Sequence, residues 1–265
     1  MKKLTTFFAL IISAVVSAQP GSSRQIGTAG NLAGTVSAVE ANGRIYTVDK
    51  TGALLVTETV SGTSTQLGNE RFVNSRFLFA GGVALYSIKQ DGSLYVINTA
   101  DGSSRPAGVK GAWKSTLAGT TLNGKLYTVE TSGELYETDL ATGIRKEIGK
   151  PEFAATATSG MWSANGKLYT CEANGALFEV NQETGVWKRI GATEEWKGTI
   201  TGVVINNLLY TIETDGFLYE TDLTTGKWSQ IGKAEYANTA FMTGSSTGKL
   251  HTIDRSGNLF EIGIK

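Results

Sequence analysis

The chain has a single cysteine, Cys171, so no disulfide can form within it. It also has a single histidine, His251, which removes histidine-rich metal sets and leaves no Ser-His-Asp constellation beyond coincidence. Lys and Arg number 24, as do Asp and Glu, and the formal net charge is zero. No basic block stands out, so the electrostatic footprint of a nucleic-acid partner is missing. There is no phosphate-cradling glycine motif after a parallel strand. Beyond the first 18 residues no apolar run is long enough to span a membrane. No apolar stripe of helical period appears either. Proline is scarce, at three residues.

Glycine, by contrast, is abundant, at 33 residues, in a chain that is 40% hydrophobic. That combination suggests many short strands and tight turns rather than disorder. A repeat organises them. Tyr46, Tyr86, Tyr127, Tyr169, Tyr210 and His251 are spaced 40, 41, 42, 41 and 41 residues apart. Gly52, Gly92, Gly133, Gly175, Gly216 and Gly257 form a second column with the same spacing. A fixed period of this length marks a solenoid or a propeller.

One unit decides between them. After a run of small and apolar residues, Asn165-Gly166 gives a hairpin signal. Lys167 to Glu172 reads as a strand, Asn174-Gly175 as a turn, Ala176 to Val180 as a strand. Glu183-Thr184-Gly185 turns again into a fourth strand, Val186 to Ile190. Four short antiparallel strands in about 41 residues make one propeller blade. Five whole units fit, at about 32–68, 72–108, 113–149, 153–191 and 196–232, and a sixth from Tyr236 has only three strands. The phrase Ser23-Arg24-Gln25-Ile26-Gly27 matches Trp228-Ser229-Gln230-Ile231-Gly232. The expected fold is therefore all-β: a six-bladed propeller of four-stranded blades, one domain over residues 19–265, closed by the N-terminal strand in the last blade. Closure would remove exposed strand edges.

The strand phrase Leu-Tyr-Thr-Val-Glu, followed by a turn and Leu-Tyr-Glu-Thr-Asp-Leu-x-Thr-Gly, resembles kelch blades. Its Tyr-Thr-x-Asp core and Asp-Leu-x-Thr-Gly turn are similar to six-bladed YWTD propellers, and its Gly-x-Leu-Tyr repeats to tectonin and tachylectin lectins. The resemblance implies a propeller and, by family habit, binding.

Four columns are candidate sites. The second strand ends in Asp49, Lys89, Glu130, Glu172, Glu213 and Asp254. Its five acids would ring one face and could hold a cation such as calcium; no other cofactor is expected. The blade links carry Leu32, Phe72, Trp113, Phe153, Trp196 and Tyr236. Exposed, these would be platforms for sugar rings, with Trp113, Trp196 and Tyr236 the candidates; buried, they would wedge between blades. The third strand carries Glu137, Glu179, Glu220 and Glu261, and the fourth Trp187 and Trp228. A glutamate beside an aromatic could bind sugar hydroxyls and C–H groups together. The innermost strand has Thr35, Ser75, Thr116, Thr158, Thr199 and, in the sixth blade, Ala240. His251 and Cys171 replace a repeat tyrosine and a repeat aliphatic, and both read as core positions.

Lys2, Lys3, the apolar run Phe7 to Val16 and the small residues Ser17 and Ala18 read as a signal peptide over residues 1–18. Export to the periplasm or beyond is expected, as a monomer. The expected function is non-catalytic binding, with carbohydrate preferred over a protein partner. A hydrolase or lactonase with a channel metal is the third alternative, and no irregular acidic cluster supports it. The second blade is the most divergent, with Arg76, Lys89 and Val96 breaking their columns.

Overall fold

The computed structural model describes residues 19–150, 158–244 and 248–264. The expected leader at 1–18 and the link residue Phe153 lie outside them. The described residues form 24 strands and no helix, arranged as six four-stranded antiparallel sheets. The first blade runs β2 (Thr35–Ala41), β3 (Arg44–Asp49), β4 (Leu54–Glu58), β5 (Ser64–Gln66). The second is β6 (Ser75–Gly81), β7 (Ala84–Lys89), β8 (Leu94–Asn98), β9 (Ser104–Ala107). The third is β10 (Thr116–Leu122), β11 (Lys125–Glu130), β12 (Leu135–Asp139), β13 (Arg145–Ile148). The fourth is β14 (Thr158–Ala164), β15 (Lys167–Glu172), β16 (Leu177–Val180), β17 (Trp187–Ile190). The fifth is β18 (Thr199–Ile205), β19 (Leu208–Glu213), β20 (Leu218–Asp222), β21 (Trp228–Ile231). The sixth joins β22 (Thr239–Gly244), β23 (Leu250–Asp254) and β24 (Leu259–Ile262) to β1 (Ser23–Ile26) from the other end of the chain.

The closure is the one expected. β1 lies antiparallel on β24, with Arg24 opposite Glu261 and Ile26 opposite Leu259. The backbone continues the clasp, Gly21 N–H donating to Gly263 O and Gly263 N–H to Ser22 O. Gly21 stands where the other blades have a turn glycine. Its φ is +77°, and a Cβ there would lie 2.7 Å from Gly232 of the fifth blade. Only glycine fits.

Asn-Gly hairpins join first to second strands because both turn residues need positive φ. Asn42, Asn123 and Asn165 have φ of 51°, 51° and 47°, each followed by a glycine between 73° and 75°. In the second blade the pair is Gly82-Val83, and only Gly82 is left-handed, at 62°. These hairpins and the third-to-fourth turns lie on one face, called lower here. The second-to-third turns and the blade links lie on the upper face.

The core sits between blades rather than inside any one. Six apolar clusters occupy the six seams. Each strand turns one set of alternating side chains to each neighbouring blade. The seam between the first and second blades holds Phe72, the next Trp113, that between fourth and fifth Trp196, and that between fifth and sixth Tyr236. All four are buried. Among the described residues, the apolar cluster of the closing seam, sixth to first, is made of aliphatics and Phe241: Ile26, Leu32, Ile45, Ile253, Leu259, Ala38 and Leu55.

Around the channel the innermost strands are tied by hydrogen bonds. Ser37 and Ser75 Oγ meet at 3.2 Å. Thr121 Oγ1 donates to Ala80 O at 2.5 Å and Ser163 Oγ to Thr121 O at 2.9 Å. Met242 N–H donates to Thr201 Oγ1 at 3.2 Å. Arg76 also ties blades, its guanidinium reaching Lys114 O at 3.1 Å and Thr116 O at 2.8 Å.

Candidate functional site at the channel mouth and lower face

The acid column is held by its own turns. Asp49 accepts from Thr51 N at 2.8 Å and Ala53 N at 2.9 Å. Asp254 accepts from Ser256 N and Asn258 N, both at 2.9 Å. Glu172 accepts from Asn174 Nδ2 at 3.1 Å. Glu130 is buried; it accepts from Thr116 Oγ1 at 2.9 Å and pairs with Arg145. Arg145 also stacks 3.6 Å over Tyr136 and donates to Ala112 O at 2.5 Å. Glu213 differs. Burial first, and the Asp215 charge second, push its carboxyl up to about 7. Among the described residues no three His, Cys, Asp or Glu side chains converge as metal donors. The hydroxyl column facing these acids is complete, and its sixth member is Thr239, opposite Asp254, not Ala240. A β-bulge follows the hydroxyl in all six blades; the sixth differs in pairing Thr239 with Asp254 across 15 residues, where Thr199 and Glu213 pair across 14.

Trp113, Trp196 and Tyr236 are wedges, not platforms. Trp196 Nε1 donates to Thr221 Oγ1 at 3.1 Å, and Tyr236 Oη to Gly21 O at 2.5 Å. Large aromatics filling a seam exclude more water than they would on a surface, so packing takes them.

The glutamate and tryptophan columns are separated by the pleat. Glu179 lies opposite Lys188, while Trp187 lies opposite Val180. Glu220 lies opposite Ser229, while Trp228 lies opposite Thr221. Adjacent positions point to opposite faces, so each Glu and Trp of one blade faces a different neighbour. The glutamates instead serve their own blades. Tyr127 Oη donates to Glu137 at 3.3 Å and Tyr210 Oη to Glu220 at 2.7 Å. Lys125 and Lys167 pair with Glu137 and Glu179 at 2.7 and 2.9 Å. Burial, with Glu137 nearby, pushes the Tyr127 hydroxyl up to about 12. Burial likewise pushes the Cys171 thiol up to about 11, the state of an inert core cysteine.

A concave feature of the channel lies elsewhere. A cavity of about 330 Å³ opens where the second halves of five innermost strands converge, toward the lower face. Its wall includes Val39, Glu40, Phe79, Thr120, Trp162 and Val203. The Trp162 indole reaches the next blade because Gly202 leaves room: a Cβ there would be 2.8 Å from the ring. Glu40 Oε2 is held by His251 Nδ1 at 3.2 Å and by Thr243 Oγ1 at 3.3 Å across the closing seam. His251 occupies a core position, as expected, yet its partner sits 211 residues earlier. The sequence signal for Glu40 was a broken column: the matching positions are Ala80, Thr121, Ser163, Val204 and Gly244.

The lower face around this mouth is also the apolar one. Among the described residues nine large hydrophobics are exposed. Val60, Val83, Ile144, Val186, Trp187 and Trp228 lie on lower turns or at the strand ends beside them; Val36, Val73 and Val109 lie on the upper side. Val60 and Val83 are each 82% exposed, Ile144 69% and Val186 66%.

Residues 14–232 match the family described as outer membrane protein assembly factor BamB. The chain belongs to this family. No curated protein matches it in sequence. Among solved structures, a structural-genomics protein of unknown function from Bacteroides thetaiotaomicron aligns with a TM-score of 0.68 at 10% identity, over 92% of this chain and 72% of that one. Streptogramin B lyase aligns at 0.65 and 10% identity, over 93% and 98%. A computationally designed protein, Ika8, aligns at 0.57 and 11% identity, over 87% and 71%. At these identities the likeness is one of fold. The family match and the six-sheet ring agree on a propeller, without singling out the kelch, YWTD or tectonin types.

Proposed function

We propose that the protein is a non-catalytic docking module that binds another protein through its lower face. The observation that carries this is the asymmetry of exposed hydrophobics, six of nine on the side where the channel opens. Scattered exposed aliphatics need no explanation, but their concentration at turn tips on one side of a rigid ring is what an interaction surface requires. Membership of a family described as an assembly factor supports a protein partner over a small substrate. The acids and glutamates that could have formed repeated ligand sites are engaged within their own blades, Asp49 and Asp254 by turn N–H groups, Glu130 by Arg145, Glu137 and Glu179 by lysines. Export by the leader at 1–18 would place the module in the periplasm or outside the cell.

The test is affinity capture with two charge-inserted proteins. Val83→Asp with Ile144→Asp is expected to lose the captured partner, and Val73→Asp with Val109→Asp to keep it. The reverse pattern would sink the lower-face reading.

A carbohydrate reading keeps one foothold, on the fifth blade. Tyr219 packs edge-on against Trp228 at 5.5 Å and against Phe217 at 6.3 Å, and its hydroxyl donates to Asp215 at 2.7 Å. A glycan array read with calcium and with EDTA decides it: hits lost in Trp228→Ala would support a sugar site there, and a blank array would remove it.

A further inference from the structure

Glu40 is the only ionisable side chain in the described wall of the channel cavity. Its side chain is 4% exposed and that of His251 1%. One carboxylate oxygen is taken by His251 and Thr243, while Oε1, also buried, has no hydrogen-bond partner. A buried acceptor without a donor is costly, and more so when charged. Such a group persists where something supplies the missing donor. The fourth blade stands across the ring from the first, and there the wall is the indole of Trp162; Phe79 of the second blade lines it as well. Thr120 and Ser163 add hydroxyl acceptors. A lone carboxylate, an aromatic face and neutral acceptors together complement a planar organic cation.

We propose that the channel mouth receives an arginine side chain of the protein partner. Its guanidinium donates to Glu40 Oε1 and lies against Trp162, and its stem runs along Val39 and Val203. The cavity, at about 330 Å³, has room for one such side chain. This assignment rests on the lower face being the docking face.

The probe is N-butylguanidinium, titrated into the protein while the Trp162 indole N–H is followed by NMR and assigned with Trp162→Phe. Saturable binding is expected, at least tenfold tighter than for the neutral isostere N-butylurea and tighter than for butylammonium. Glu40→Gln is expected to weaken it about tenfold. Equal binding of the urea, no binding, or a preference for ammonium would each overturn the proposal. Comparing the probes on the unaltered protein needs no variant, so a Glu40→Gln protein that folds poorly leaves the test intact. If capture survives Val83→Asp with Ile144→Asp but is lost in Val73→Asp with Val109→Asp, the docking reading falls and the partner's arginine with it, even where butylguanidinium binds. If only the lower-face variant loses capture and butylguanidinium does not bind, the arginine alone falls.

Discussion

The two faces of this ring are built by opposite uses of the same repeat. On the upper face the repeat is kept in most blades, Arg76, Lys89 and Leu32 apart: Asp49 and Asp254 fix their turns, Glu130 locks Arg145, and Phe72, Trp113, Trp196 and Tyr236 fill seams. On the lower face the repeat is broken: Gly82-Val83 replaces an Asn-Gly hairpin, turn tips carry Val60, Ile144 and Val186, and Glu40 stands among small neutral residues. Conformity holds the ring together, and departure leaves groups free to meet something else. The same division predicts that upper-face substitutions act on stability and lower-face ones on binding.

The largest effect should come from a wedge. Trp113→Ala is expected to cost about 3–5 kcal/mol in urea unfolding, since it empties a fully buried site. A loss below about 1 kcal/mol would mean the seams are not the core. Next is Glu130→Gln, which leaves Arg145 with a neutral partner at a largely buried site. About 3 kcal/mol is expected, and a surface-like change would show that the pair is solvated.

Glu213 sharpens the comparison through pH. Its carboxyl is raised from an ordinary 4.5 to about 7, so the folded chain holds the proton more tightly than the unfolded one. Its contribution is therefore present below about pH 4.5 and lost as pH rises through 7. Unfolding curves should show the native protein losing stability relative to Glu213→Gln across that window, with a constant gap above it. Parallel curves would contradict the burial argument. The smallest stability effect belongs to the lower face: Val83→Asp with Ile144→Asp should stay within about 0.5 kcal/mol per site of the unaltered protein. A larger loss would show those side chains to be structural.

Much of the architecture was legible because it is periodic. The Tyr and Gly columns gave six blades, and Ser23 to Gly27 announced the clasp. The misplaced sixth hydroxyl shows the limit. Thr239 and Asp254 pair across 15 residues where Thr35 and Asp49 pair across 14, so the sixth blade carries one extra residue there, which the repeat spacing does not reveal. The Glu and Trp columns failed for a related reason. They are neighbours in the blade but, by the pleat, point to different seams. Glu40 and His251 were hidden differently. Each breaks a column at opposite ends of the chain, and only ring closure brings them within 3.2 Å.

The most direct test places a photo-cross-linking residue at single positions in the cells that make the protein. Val60, Val83, Ile144 and Val186 sample the lower face; Thr51, Asp91, Asn174 and Asp215 sample exposed upper turns. The account predicts one discrete protein adduct from the lower positions, and none from the upper ones. Adducts confined to the upper turns would contradict it.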